Sequence, residues 1–326
     1  MALVMSLTAG IGVAPIATGI ASASNQKPNS SSSSSKVLQI ISLSPVESTN
    51  TRVIDGATTV AKALGLTVSV LNANGSDTTA NAMFEASALK KPWAIIDEVV
   101  PTSALVTGIR AAKAAGIPVA TWGGGTGPGV VAEDGDGGPF ATPITEAMLK
   151  AMDYKGSILE FAYDAGGVCY ARDVIMQNLA KKYPAIKVTK ETVPIPGYVA
   201  AGDEDATAWL ASHPVGHGPY AIWGCWDDPT VGATAALKAE HRTDVLTYGM
   251  DGDPDALEAI QQHQMTETIW ENGYAEGQEL VHLLSQYYAT TKAGKAWSTQ
   301  VVNVPGIIVN QQNVKAFVKS HTGVLG

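Results

Sequence analysis

Two doubly wound α/β lobes with parallel sheets are what the sequence predicts, on three observations. From Lys36 onward, short β-branched runs alternate with helical stretches. That series restarts near the middle of the chain, and the two halves repeat several of the same letters. In the first half, 37–42 (VLQIIS) reads as a strand, and 51–64 as a helix, because Val53, Ala57, Val60, Ala61 and Leu64 recur on one face. A strand at 67–71, a helix at 78–90 and a strand beginning at 94–96 follow. Next come a helix at 102–115 with Leu105, Ile109 and Ala112 inward, stopped by Gly116, and a strand at 117–121. Such a β-α-β-α-β order requires parallel strands, since a crossover helix must return the chain to start each strand in the same direction. The second series reads as strand 157–161, helix 171–182, strand 186–193, helix 203–212, strand 220–223, helix 230–240 and strand 245–248. A late helix at 274–288 places Leu280, Leu283, Leu284 and Tyr287 at helical spacing.

The letters repeat as well. Pro92-Trp93-Ala94-Ile95 matches Pro219-Tyr220-Ala221-Ile222, and a Pro-Thr pair follows each (Pro101-Thr102, Pro229-Thr230). Thr121-Trp122-Gly123 matches Thr247-Tyr248-Gly249. A duplicated unit accounts for this, and two such units side by side create a cleft at the carboxyl ends of both sheets, where open parallel sheets bind ligands.

Composition narrows the class. The chain has 326 residues, 45% hydrophobic and 16% charged, which suits two domains with separate cores. Its formal net charge of −9 repels phosphate backbones, so nucleic acid is not an expected partner. Residues 1–23 are read as a signal peptide, with an apolar, small-residue run and Ala21-Ser22-Ala23 as its cleavage site, so an exported, periplasmic or extracellular protein is expected. Residues 24–35 are a Ser-rich linker. Cys169 and Cys225, the only cysteines, each lie just past the end of a second-half strand. Those two strands are neighbours in a doubly wound order, so the pair is either one disulfide or two unpaired thiols.

The segment Tyr248-Gly249-Met250-Asp251-Gly252-Asp253-Pro254-Asp255-Ala256-Leu257-Glu258-Ala259-Ile260, followed by Met265-Thr266-Glu267-Thr268-Ile269, resembles a segment of the type I periplasmic binding proteins of the ribose and galactose class. Tyr170-Ala171-Arg172-Asp173 and Trp226-Asp227-Asp228, the latter before Val231-Gly232-Ala233, are similar to two further motifs of that family. The resemblance covers roughly residues 37–318 and implies three crossings between the lobes, placed near 134–140, 269–274 and 303–307. The expected amino-terminal lobe is then 36–136 plus 272–304, and the carboxy-terminal lobe 137–271 plus 305–326.

The resemblance also implies a site. Asp251 is expected to accept ligand hydroxyls, Arg172 to donate to them, and Asp227 to line the cleft. Trp226 stands where the family has Asn, exchanging an amide for a flat ring. Glu271 falls where the family has Gln or Asn at a crossing, and Tyr170 takes a position often polar. Trp122 replaces the charged clamp usual in the first lobe, while Asn50 and Tyr198 are candidates from their loop positions. Carboxylates and rings with little arginine suit a small neutral polyhydroxy ligand, and an amine-bearing one as well. The expected function is capture of a sugar or polyol and its delivery, by a monomer, to the membrane permease of an ABC importer. A sensory protein presenting its ligand to a chemoreceptor or kinase is the alternative. Gly123-Gly124-Gly125-Thr126-Gly127 lacks nucleotide-binding spacing, and Asp251-Gly252-Asp253-Pro254-Asp255 lacks the glycine of a calcium loop. His213 and His217 are separated by Pro214 and Gly216. No cofactor, metal or catalytic set is expected.

Overall fold

The computed structural model describes residues 36–135, 137–302 and 305–325. The expected signal peptide and linker lie outside them. Among the described residues the chain forms twelve strands and ten helices, in two sheets of six strands.

The first sheet takes β1 (Val37–Ser42), β2 (Thr67–Asn72), β3 (Ala94–Glu98), β4 (Val119–Trp122), β5 (Val130–Asp134) and β11 (Gln300–Val302), in the order β11-β5-β4-β3-β1-β2. The second takes β6 (Gly156–Ala162), β7 (Ile186–Thr192), β8 (Tyr220–Gly224), β9 (Val245–Asp251), β10 (Glu267–Trp270) and β12 (Ile307–Asn310), in the matching order β12-β10-β9-β8-β6-β7. All pairings are parallel except that of β10 with β12. The repeated Pro-aromatic-Ala-Ile letters fall at the starts of β3 and β8, equivalent strands in the two sheets. Central strands such as β3 and β8 are buried along their whole length, as parallel strands covered on both faces must be.

Helices α1 (Ser48–Ala63), α2 (Asp77–Lys90), α3 (Val106–Ala114) and α9 (Gly273–Lys292) cover the first sheet. The second is covered by α4 (Gly138–Ala151), α5 (Gly167–Ala180), α6 (Tyr198–Ala211), α7 (Asp227–Ala239), α8 (Pro254–Gln261) and α10 (Val314–Ser320). The chain passes between the lobes three times, from β5 to α4, from β10 to α9 and from β11 to β12. α9 crosses α1 at close range because Gly277 has no side chain; a Cβ there would overlap the Val53 carbonyl. None of the described helices is long and apolar enough to cross a membrane.

The two lobes touch. Gly167 N donates to Val99 O at 2.8 Å, and Tyr163 Oη donates to Gly75 O at 2.8 Å. A buried apolar cluster runs from the first sheet through Leu43 to Tyr163, Cys169 and Trp226 of the second lobe.

Candidate ligand-binding cleft

The carboxyl ends of the strands face one another across the contact between the lobes. Asp251 ends β9, Trp122 ends β4, and Trp226 immediately precedes α7. Asn50 lies in the first turn of α1, Arg172 on the inner face of α5, and Tyr198 at the start of α6. These six line one cavity of about 50 Å³ with Glu47, Ser44, Leu43, Val99, Tyr163, Val168, Cys169 and Ile195. A larger open groove of about 700 Å³ lies elsewhere, lined by Lys238, His263 and Asn310. It sits by the amino-terminal ends of β9 and β10, the wrong end of a parallel sheet for a ligand, so the interlobe cavity is the candidate site.

Arg172 organises the second-lobe wall. It is buried, and its Nη1 donates to Asp251 Oδ1 at 2.6 Å and to Cys225 O at 2.7 Å. Its Nη2 lies 3.8 Å from Glu271 Oε2, and its guanidinium stands 4.9 Å from the Phe140 ring centroid. Glu271 is thus placed behind Arg172 rather than on the cavity wall. A disulfide joins Cys169 to Cys225 with their Cα atoms 5.1 Å apart, pinning the start of α5 to the end of β8.

Asp227 is also set back. Its Oδ1 accepts from Thr268 Oγ1 at 2.7 Å and its Oδ2 from Asp253 N at 2.8 Å, so it holds the turn after β9 in place. Tyr170 is 57% exposed and lines a separate surface groove. Two residues along a helix turn the side chain by about 200°, so with Arg172 facing inward Tyr170 must face out. Trp122 lines the cavity but donates its Nε1–H to Glu276 Oε2 of α9 at 2.8 Å, which fixes the ring edge away from the cleft.

The first-lobe wall holds a residue the sequence patterns did not single out. Glu47 caps α1, its carboxylate accepting from Thr49 N at 3.1 Å and Asn50 N at 2.9 Å. Asn50 in turn donates to Ser44 O at 2.8 Å. Across the cleft, Arg52 Nη2 reaches Asp251 O at 3.1 Å and Asp253 Oδ1 at 3.3 Å, and Thr49 Oγ1 donates to the same Asp253 oxygen at 3.1 Å. The carboxylate oxygens of Glu47, Asp251 and Asp253 lie within 4.8 Å of one another. That spacing is one a cation can bridge, and Arg52 supplies positive charge there.

Crowded acids in a dry space resist ionisation. Burial, then Asp253 and Asp251, raise the Glu47 carboxyl well above the usual carboxylate range. Burial and the same two aspartates raise Asp227 well above it and push Asp228 up to about 8. Asp253 is raised by burial, a rise that Arg52 opposes, and it shares a hydrogen bond with Glu47. Tyr198 is pushed up to about 12 by burial and by Asp228 and Glu47. Trp226 meets Tyr163 and Tyr198 edge-on, with centroids 6.4 and 5.7 Å apart.

Backbone geometry marks the same place. Asp251 and Val99 adopt φ of +97° and +77°, the two largest positive values among the described residues other than glycine. Such conformations are strained for L residues and concentrate at functional sites.

Two like lobes, three crossings and a polar cleft at the facing strand ends define a hinged ligand-binding protein. Residues 41–292 match the periplasmic binding protein domain, and the chain belongs to that family, whose members bind solutes rather than transform them. The D-apiose import binding protein of Paraburkholderia graminis is 27% identical over 253 residues, 76% of this chain and 80% of that protein. An ABC transporter solute-binding protein from Agrobacterium vitis, solved with bound allitol, is 23% identical with a TM-score of 0.79, covering 88% of this chain and 99% of that one. An ABC sugar transporter subunit from Rhodobacter sphaeroides is 24% identical with a TM-score of 0.76, covering 85% and 98%.

Proposed function

We propose that this protein is an exported receptor that captures a sugar or polyol between its lobes and, as a monomer, delivers it to the permease of an ABC importer. The observation that carries the reading is the Arg172–Asp251 pair, held at 2.6 Å on the cavity wall opposite Asn50 and Glu47 of the other lobe. A charged donor and a charged acceptor side by side serve a ligand whose hydroxyls both donate and accept, each such bond contributing roughly 1.5–3 kcal/mol. Three of these with a ring contact reach micromolar affinity, about −8 kcal/mol. The relative from Paraburkholderia graminis, named for D-apiose import, supports a small sugar and an import role. With the lobes in contact around so small a cavity, a ligand is admitted only when they part, and contacts to both walls then favour closure.

Thermal-shift screening of the full chain against D-apiose, pentoses, hexoses and polyols tests this. At least one compound raises the melting temperature, because a ligand bound only by the folded form stabilises it by mass action. Asp251→Ala abolishes that shift. A shift unchanged in Asp251→Ala sinks the assigned site, and no shift with any compound sinks the ligand class.

A further inference from the structure

The cavity is lined by groups of two unlike kinds. Its charged and amide groups are gathered together: Arg172 is bonded to Asp251, Glu47 lies within 4.8 Å of Asp251, and Asn50 donates its backbone N–H to Glu47. Four aliphatic side chains line it too, Leu43 and Val99 from the first lobe and Val168 and Ile195 from the second, alongside Cys169 of the disulfide, Ser44 and the rings of Trp122, Tyr163, Tyr198 and Trp226. Leu43 and Cys169 belong to one buried apolar cluster, and Val99 and Ile195 pack against it. Val99 is pressed against the start of α5, its carbonyl accepting from Gly167 N beside Val168. Its β-branched side chain is kept at φ +77°, a conformation that a glycine would adopt without strain. The aromatic rings are a separate matter, since a ring face packs well on sugar C–H groups. Aliphatic side chains have no π face and neither donate nor accept, so a hydroxyl turned toward them gives up its water partners with nothing in return.

We infer that the ligand is a deoxygenated or short-alkyl-bearing sugar or polyol, its hydroxyls turned to Arg172, Asp251, Asn50 and Glu47 and its bare carbon end seated against Leu43, Val99, Val168 and Ile195. This rests on the sugar or polyol reading above and sharpens it. A methyl in place of a hydroxymethyl both gains apolar burial and avoids stranding a hydroxyl, a difference worth about tenfold or more in affinity.

Calorimetric titration of the full chain with matched pairs tests the inference: D-ribose against 5-deoxy-D-ribose, D-glucose against 6-deoxy-D-glucose, and L-galactose against L-fucose. In each pair that binds, the deoxy member binds about tenfold or more tightly. Val168→Thr, which puts a hydroxyl among those aliphatic side chains at nearly constant volume, narrows that gap. A parent sugar that binds as tightly as its deoxy partner overturns the inference while leaving the sugar or polyol reading intact. A gap unchanged in Val168→Thr overturns the placement of the bare end. If neither member of any pair binds, and no compound in the thermal screen does, the underlying reading falls and this inference with it.

Discussion

The two lobes share a strand order and differ at the strand ends. β4 is four residues long and stops at Trp122, whereas its counterpart β9 runs seven residues and carries Asp251 to the cleft. The end of β3 presents Asp97 and Glu98, both fully buried, while the equivalent strand β8 leads into Cys225 and Trp226. The first lobe therefore has acids at its strand ends but turns them inward, and its cleft wall takes its charge from the capping residue Glu47 of α1. The second lobe delivers charge from the sheet itself, braced by a disulfide and an arginine. Duplication sets where the cleft lies; strand length and the residue after each strand set what the cleft can bind.

The arginine is the sharpest test of that asymmetry. Arg172→Ala leaves buried Asp251 and Glu271 without the cation between them, and removing one partner of a buried pair destabilises by about 3–5 kcal/mol. Urea denaturation measures the loss, and Arg172→Lys recovers only part of it, because an ammonium cannot span the carboxylates and the Cys225 carbonyl as a guanidinium does. A loss below about 1 kcal/mol, the ceiling for a surface pair, breaks the comparison. Next is the brace. The bridged residues are 56 apart, a loop whose closure stabilises by up to about 4 kcal/mol in the chain-entropy account. The double variant Cys169→Ala, Cys225→Ala is expected to lower the stability of the second lobe toward that extent and leave amide exchange in β1 and β3 unchanged. Equal loosening of both lobes means that they unfold as one.

Much of this was legible in the sequence. The alternation of β-branched runs and amphipathic stretches located the central strands of both sheets, because those strands are buried on both faces and read as apolar runs. β5, β11, β12, α4 and α10 carried weaker signals. α4 opens with Gly-Pro and contains Pro143, which read as breakers, and β11 and β12 are three and four residues long. In the site, Asp251 and Arg172 stood out through their motif. Tyr170 shared that motif, but helix periodicity turns it outward, a reading available from its spacing to Arg172. Glu47 was missed because it acts from a loop, three residues before Asn50. An acidic residue just ahead of a helix start was the one sequence signal pointing to it. Val99 and Ile195 had no polar signature at all.

A smaller effect separates the buried acids by lobe. Burial pushes Glu98 in the first lobe up to about 8. Burial, then Asp173, pushes Glu160 in the second up to about 9. A carboxyl whose folded value is raised holds a proton that the unfolded chain has released. Its stabilisation is present in full below the ordinary carboxylate value, declines as pH rises through the folded value, and is level above it. The melting temperature should therefore fall between about pH 5 and pH 9. Glu98→Gln removes the part of the fall that ends near 8 and leaves the part that ends near 9. A flat profile in the wild type shows that these acids ionise freely.

The same logic applied across the cleft gives the smallest expected effect and bears most directly on how the lobes cooperate. Glu47 belongs to the first lobe and Asp253 to the second, and each is raised in the contact that joins them. The groups facing Glu47 are Asp253, Asp251 and Asp228, with Arg52 the nearby cation. Opening the lobes returns Glu47 to water and removes it from those aspartates, which lowers its affinity for a proton. Closure therefore takes up a proton, and because ligand binding selects the closed form, binding should be tightest at low pH and weaken as pH rises. Isothermal titration at several pH values is expected to show an affinity falling by roughly tenfold from about pH 5 to pH 8, with proton uptake visible as a buffer-dependent heat. Glu47→Gln keeps one of the two capping acceptors on α1 and cannot ionise, so it should bind with little pH dependence. If the variant retains the full pH slope, the titrating group lies elsewhere among the cleft acids, and the first lobe contributes only shape to closure.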